Sequence, residues 1–307
     1  MGEADVVRQP VWDGGLVGTL FLPTGSAPRA AVLALGGAGG GLGEGGAETF
    51  ASEGFAALAL AYFGLDGLPR ELVEIPLEYF EGAIAWLKRH PMVDAGRVAV
   101  VGNSKGGELA LLLGATYPED VKAVVGYAPS AVVWQGIAFD REVYHGGPRS
   151  PWALRGEAVP FVPWARPSGP EMVRMTESLL EDRPISTRAF YERALQGETA
   201  VAAAGVAVEK IEAPVLLISG TDDRLWPSTL LSEMAIERLK AHDHPFPCEH
   251  LRYEGAGHMI APRGYEPATS WTRRFELGGS REANEFANAD SWPKVIGFLE
   301  ATFDHPA

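Results

Sequence analysis

The chain has 307 residues, with 26 basic and 40 acidic side chains and a net charge of −14. So acidic a surface repels phosphate backbones and anionic lipid headgroups, and we find no basic cluster, which excludes nucleic-acid binding and membrane association as predicted functions. A hydrophobic content of 46% with 21% charged residues is typical of a globular protein and not of a disordered one.

The cysteine content and the beginning of the chain predict a cytoplasmic location. Cys248 is the single cysteine and cannot form an internal disulfide, so nothing calls for an oxidising compartment. The opening residues have neither the basic nor the apolar segment of a signal peptide. No uninterrupted apolar run approaches the length of about 18 residues that a membrane span needs.

Short apolar runs suited to buried parallel strands recur along the chain, and helix-length segments separate most of them. These runs are residues 17–22, 31–35, 56–62, 98–101, 121–127 and 215–219. Residues 76–90 have the apolar spacing of an amphipathic helix, and a last helix is predicted to start at Asp290 or Ser291, with Pro293 in its first turn. The alternation predicts an α/β fold, a mostly parallel central sheet with helices on both faces.

One long segment, at about residues 134–205, interrupts this alternation. It lacks strand-like runs, is rich in proline, tryptophan and arginine, and its charges nearly cancel. Long insertions in compact domains are usually functional, so we predict a cap over the site, within a single domain that spans residues 1–307. Trp134 in this cap and Trp226 beyond it are candidate substrate-binding residues.

A nucleophile elbow is predicted where the strand at 98–101 runs into a helix through Gly102-Asn103-Ser104-Lys105-Gly106. This GxSxG pattern, with a strand before and a helix after it, places a serine at the apex of a tight turn. Ser104 is therefore the candidate nucleophile. The backbone N–H of Lys105 and that of Ala38, in the glycine-rich loop at 36–43, are the candidate oxyanion donors, and the Lys105 side chain is expected to stay in solvent.

A serine nucleophile needs a histidine base and a carboxylate that orients it. His258 follows the predicted acid and lies at a strand exit, so it is the preferred base among the histidines. The strand 215–219 ends at Gly220 and is followed by Asp222 and Asp223, either of which can be the acid; we prefer Asp223, three residues past the glycine.

Two other motifs are weighed and disfavoured. Residues 41–46 fit the GxGxxG pattern of dinucleotide sites, but the match begins too far past the strand and places Glu44 where pyrophosphate would bind. The segment 242–250 contains three histidines and Cys248, yet its spacing matches no common zinc motif. No metal or cofactor is predicted.

The chain resembles the catalytic domain of acyl-CoA thioesterases and bile acid-CoA:amino acid N-acyltransferases, a branch of the α/β hydrolases close to the dienelactone hydrolases. The motifs behind this resemblance are GFAALALAYFG, VGNSKGGELALLL, VKAVVGYAPS, VLLISGTDDRLWPS, YEGAGHMI and GGSREANEFANADSWPKVIGFLE. The resemblance implies an α/β-hydrolase fold and a catalytic triad of Ser104, Asp223 and His258. Larger relatives have an N-terminal β-sandwich domain, and because about 30 residues precede the run at 31–35 here, we expect no such domain in this chain.

The predicted function is hydrolysis of an acyl thioester, of the acyl-CoA type, or of a carboxylic ester through a covalent acyl-serine. Arg263, Arg273 and Arg274 are candidate contacts for CoA phosphates. The alternative is a carboxylesterase or dienelactone-hydrolase-like enzyme that does not use CoA. An acyltransferase, for which the resemblance implies cysteine at the elbow, and a non-catalytic binding protein are less favoured. The substrate is the one predicted partner, and the oligomeric state stays open.

Overall fold

The computed structural model describes residues 6–138, 146–266 and 273–304. Its strands are β1 (Val6–Asp13), β2 (Leu16–Pro23), β3 (Arg29–Leu35), β4 (Ala56–Ala61), β5 (Ile75–Pro76), β6 (Val93–Asn103), β7 (Ala123–Tyr127), β8 (Trp152–Leu154), β9 (Glu157–Ala158), β10 (Val215–Gly220) and β11 (Cys248–Tyr253). Its α-helices are α1 (Glu44–Ser52), α2 (Leu77–Arg89), α3 (Lys105–Thr116), α4 (Gly169–Leu180), α5 (Arg188–Ala194), α6 (Glu198–Ala204), α7 (Ser228–Ala241) and α8 (Arg281–Asp304).

The main sheet has eight strands in the order β1-β2-β4-β3-β6-β7-β10-β11. From β4 to β11 each strand is parallel to the next one in this order, which confirms the predicted mostly parallel sheet. β2 is antiparallel to both β1 and β4, although its apolar run suggested a parallel strand. Every residue of β2 is buried, and a continuous apolar run reflects burial on both faces and not strand direction.

Helices cover both faces of the sheet, as predicted. Successive strand residues point to opposite faces, so Leu33 packs in the core beneath α2, α3 and α7, whereas Val32 packs in the core beneath α1 and α8. Within the described ranges, none of the helices combines the length and apolarity that a bilayer crossing requires.

The last helix, α8, begins at Arg281 and not at Asp290 or Ser291 as predicted. The hydroxyl of Ser280 accepts the N–H of Ala283 at 3.1 Å and so caps the helix about ten residues earlier. Pro293 consequently lies in the helix interior, where it cannot donate a main-chain hydrogen bond. The turns of α8 before Pro293 also bind the loop that holds His258, which stabilises them, as described below.

The insertion at residues 134–205 joins β7 to β10, and its residues 139–145 lie outside the described part of the chain. Contrary to the prediction, it contains two short strands, β8 and β9, of three and two residues. Strands of two or three residues are too short to produce an apolar run that can be recognised in the sequence. Trp134 and Val162 of the insertion pack against Trp226 and Leu231 of the sheet domain in a small separate core.

Candidate active site

Ser104 lies in a strained turn between β6 and α3. Its φ of 56° and ψ of −118° belong to a conformation that residues with a side chain rarely adopt. A Cβ at Gly102 would come within 1.9 Å of the carbonyl oxygen of Gly106, and one at Gly106 within 2.4 Å of the carbonyl oxygen of Leu35. Both glycines of the GxSxG pattern are therefore needed to close this turn.

The side chains of Ser104, His258 and Asp223 form one hydrogen-bonded chain. His258 Nε2 lies 2.9 Å from Ser104 Oγ, and His258 Nδ1 lies 2.8 Å from Asp223 Oδ2. All three side chains are buried. Because a carboxylate only accepts, Nδ1 is the protonated nitrogen, and Nε2 is left to accept the hydroxyl proton of Ser104. This is the arrangement that a histidine needs in order to act as a base on serine.

The two adjacent carboxylates have different environments. Asp223 is fully buried, and its Oδ1 accepts the N–H groups of Leu225 at 3.0 Å and Trp226 at 3.2 Å. Asp222 binds the N–H of Gly279 at 2.9 Å and the guanidinium of Arg224 at 3.1 Å. Burial alone would raise the pKa of the Asp222 carboxyl, but these hydrogen bonds lower it below its usual value. Asp223 is thus the one that reaches His258.

Asparagines that the sequence reasoning missed hold the loop around His258. Asn284 Oδ1 accepts the N–H of Gly257 at 2.7 Å, and Asn288 binds the carbonyl of Met259 at 3.1 Å. The variable residue of the elbow, Asn103, donates to the carbonyl of Ile260 at 3.0 Å. Asn284 and Asn288 are four residues apart, which places both on one face of α8, and this spacing was the available sequence signal.

The two predicted oxyanion donors lie on either side of Ser104. The N–H of Lys105 belongs to the first turn of α3, where amides have no partner inside the helix. Ala38 follows Gly37, and a Cβ built on Gly37 would come within 3.3 Å of Ser104 Cβ, so this loop passes directly beside the nucleophile. The hydroxyl of Tyr62 donates to the carbonyl of Gly36 at 2.6 Å and fixes the start of the loop.

The Lys105 side chain is buried, so the expectation that it stays in solvent was wrong. Its ammonium donates to Glu108 Oε1 at 2.7 Å, to Glu108 Oε2 at 2.8 Å and to the carbonyl of Trp134 at 2.8 Å. The insertion covers this part of α3 and supplies one of the three acceptors. This burial results from tertiary packing, so the local sequence around Lys105 does not indicate it.

The predicted substrate-binding residues fall into two groups. Trp134 and Trp226 are buried, and the Trp226 ring packs edge-on against the His258 imidazole with 5.7 Å between ring centroids. The second group consists of three exposed arginines, Arg263, Arg273 and Arg274. Within the described ranges, none of their guanidinium groups forms a hydrogen bond with the three hydrogen-bonded side chains of the site. Trp226 therefore contacts the hydrogen-bonded side chains directly.

The disfavoured motifs serve other purposes in the structure. Glu44, in the GxGxxG segment, begins α1 and binds Arg8 and Thr19. The histidines of the 242–250 segment each bind a different partner: His242 the carbonyl of Arg238, His244 that of Ala213, and His250 the hydroxyl of Ser219.

Solved structures share the whole fold of this chain at low identity. A dienelactone hydrolase-like promiscuous phosphotriesterase from metagenomic libraries is 16% identical, with a TM-score of 0.54 over 98% of this chain and 99% of that one. A fungal esterase from Rhizomucor miehei is 14% identical, with a TM-score of 0.58 over 99% of this chain and 86% of that one. The sheet order and these likenesses define an α/β-hydrolase fold.

The family follows from the sequence comparisons. The family model described as "BAAT / Acyl-CoA thioester hydrolase C terminal" matches residues 75–304, and the chain belongs to this family, as its motifs predicted. Mouse acyl-coenzyme A thioesterase 6 is 31% identical over 96% of this chain and 65% of its own length. Mouse acyl-coenzyme A amino acid N-acyltransferase 1 is 32% identical over the same shares. The chain spans 60–65% of the length of such curated relatives.

Proposed function

We propose that this protein is a serine hydrolase that cleaves an acyl thioester of the acyl-CoA type, or a carboxylic ester, through a covalent acyl-serine. The observation behind the proposal is the buried hydrogen-bonded chain from Asp223 through His258 to Ser104, at the apex of a strained turn. Family membership and relatives named acyl-CoA thioesterases favour the thioester as substrate.

The proposed reaction has two halves. In the first, His258 Nε2 takes the proton of the Ser104 hydroxyl while Oγ attacks the substrate carbonyl carbon. The N–H groups of Lys105 and Ala38 bind the resulting oxyanion, and its collapse breaks the bond to the thiolate or alkoxide, which receives the proton from His258. In the second half, His258 deprotonates a water that attacks the acyl carbon, and collapse of this second tetrahedral intermediate breaks the bond to Ser104 Oγ, which receives the proton from His258 as the acid product leaves.

A carboxylesterase or dienelactone-hydrolase-like enzyme that does not use CoA is the second candidate. It is favoured by the net charge of −14, which provides no long-range attraction for the phosphates of CoA. Arg263, Arg273 and Arg274 are exposed and would supply a local attraction instead. The relative named N-acyltransferase raises amine transfer as well, but a serine at the elbow supports water as acceptor.

We further propose that the insertion at 134–205 acts as a cap, in a single hydrolase domain, and that the protein works in the cytoplasm. The cap is supported by its hydrogen bonds to the loop around Asp223. Curated relatives include proteins named mitochondrial and peroxisomal, which makes these two compartments the alternatives. Immunofluorescence of the tagged full chain against organelle markers tests it.

The decisive experiment combines active-site labelling with a substrate panel. A fluorophosphonate probe should label wild type at Ser104 and should not label Ser104→Ala, whereas the control Ser52→Ala, which changes a half-buried serine of α1, should label like wild type. No labelling of wild type at Ser104 contradicts the catalytic proposal. The panel pairs acyl-CoA thioesters with simple esters of matched acyl length. If the esters are hydrolysed and every CoA thioester is inert, the second candidate is correct.

A further inference from the structure

A buried ion pair lies in the first turn of α3, directly after the nucleophile. The side chains of Lys105 and Glu108 are 4% and 0% exposed, and their closest charged atoms are 2.7 Å apart. All three protons of the ammonium are used, two on the Glu108 oxygens and one on the carbonyl of Trp134. A lysine held at three points has lost the freedom that this side chain usually keeps.

The carboxylate of Glu108 is equally saturated. Besides the ammonium, it accepts the indole N–H of Trp152 at 2.9 Å and the main-chain N–H of Trp134 at 3.2 Å. Both tryptophans belong to the insertion, and Trp152 is fully buried against Tyr62 and Phe80. The ion pair therefore joins three parts of the molecule: the nucleophile helix, the insertion and the aromatic core beside the glycine-rich loop.

Stability gives little reason for an ion pair at this place. Desolvation of two buried charges costs about as much as their attraction returns, and an apolar pair of similar volume is often as stable. Here burial lowers the pKa of Lys105 and raises the pKa of Glu108, and the attraction between the two groups opposes both shifts. What distinguishes the pair is its position, because Lys105 carries the main-chain N–H next to Ser104.

We propose that Lys105 and Glu108 are positioning residues, which hold the Lys105 N–H in the direction that the oxyanion requires and link this direction to the docking of the insertion. Anchoring the ammonium restrains the Cα of Lys105, and with it the peptide unit between Ser104 and Lys105. The inference rests on the proposed function, since it assigns a task to an amide of that site.

The test replaces the pair by apolar side chains of similar length, in Lys105→Met/Glu108→Leu. The matched control is Arg238→Met/Glu209→Leu, which removes a bidentate ion pair of 2.5 and 2.7 Å between α7 and the 3₁₀ turn Val208–Lys210. We expect kcat of the first variant to fall about 10- to 100-fold, less than or similar to the loss of a whole oxyanion donor, with KM within about twofold. The control should keep both constants.

A second measurement separates positioning from a merely structural role. A trifluoromethyl ketone with the acyl chain of the best substrate forms a tetrahedral oxyanion on Ser104, so its affinity should fall by the same factor as kcat. Melting temperature and circular dichroism should show that the variant is folded. If the wild type is active and the double variant has unchanged kcat and ketone affinity, the positioning role is contradicted while the proposed function stands.

The remaining outcomes are also decisive. If the double variant does not fold, Trp152→Phe replaces it, because this change keeps the ion pair and removes the indole donor to Glu108 together with part of the buried ring. We then expect kcat to fall about fivefold with unchanged KM, and an unchanged kcat overturns the inference. A wild-type chain that neither labels nor turns over any substrate contradicts the proposed function, and the inference fails with it.

Discussion

The guanidinium of Arg188 donates a hydrogen bond of 2.9 Å to the main-chain carbonyl of Asp223. The same nitrogen lies 3.2 Å from the carbonyl of Thr221. Arg188 begins α5 in the insertion, and its neighbour Thr187 donates to the carbonyl of Leu225 at 2.6 Å. The loop that aims the Asp223 carboxylate is thus bound from outside by the insertion, in addition to its own sheet strand.

Arg188→Met should lower kcat by about tenfold, because the loop loses two charge-assisted hydrogen bonds and the Asp223 carboxylate is held less firmly against His258. Steady-state kinetics on the best substrate measure the effect. Arg281→Met serves as control, since it removes an exposed ion pair with Glu285 one turn along α8. Equal kcat values for both variants would show that the loop keeps its geometry without the insertion.

Asp223→Asn should lower kcat by about a thousandfold or more, because an amide favours the wrong imidazole tautomer and cannot stabilise the imidazolium. Asp222→Asn should stay within about tenfold of wild type, since its carboxylate binds Gly279 and Arg224 and does not reach His258. Pre-steady-state and steady-state rates on one ester compare the two variants. The opposite order of effects would assign the acid to Asp222.

Tyr62→Phe should lower kcat by about three- to tenfold without changing KM, because the glycine-rich loop loses the hydroxyl that binds the Gly36 carbonyl. Tyr79→Phe is the matched control. The Tyr79 hydroxyl also donates to a carbonyl at 2.6 Å, but this carbonyl belongs to Ala61 and not to the glycine-rich loop. Thermal unfolding of both variants shows whether they lose similar stability. If they lose similar activity as well, Tyr62 has no special effect on the loop.

His250 should make folding stability depend on pH. Burial, with a smaller contribution from Arg252, lowers its pKa to about 4, below the usual 6.5, and its Nε2 lies 2.7 Å from the Ser219 hydroxyl. Between these two pH values the unfolded chain binds a proton that the folded chain does not. The contribution of His250 to the free energy of unfolding is therefore complete above about pH 6.5. It decreases as the pH falls toward 4, by at most about 1.4 kcal/mol per pH unit.

Urea unfolding of wild type and His250→Gln at a series of pH values between 4 and 7 measures this contribution. Glutamine keeps a polar group for Ser219 but does not titrate, so the variant should show the shallower slope. Identical slopes for the two proteins would mean that His250 titrates alike in the folded and unfolded chains.

Several features could be predicted from the sequence because their physical cause is local. The glycines at 102 and 106 reveal a turn too tight for side chains, and apolar runs reveal strands buried on both faces. The strand exits before Asp223 and His258 indicate residues at one edge of a parallel sheet, where the structure brings them together with Ser104. The α/β-hydrolase fold and the family follow from these local patterns.

Other features depend on contacts between distant parts of the chain, and only the tertiary structure decided them. Asp222 and Asp223 look alike in sequence, but one faces Arg224 and the other His258. Nothing local indicates that Lys105 is buried, since the insertion that covers it begins about 30 residues later. Sequence periodicity reports which residues are buried; it does not report which buried polar groups meet, because hydrogen-bond partners are chosen by packing in three dimensions.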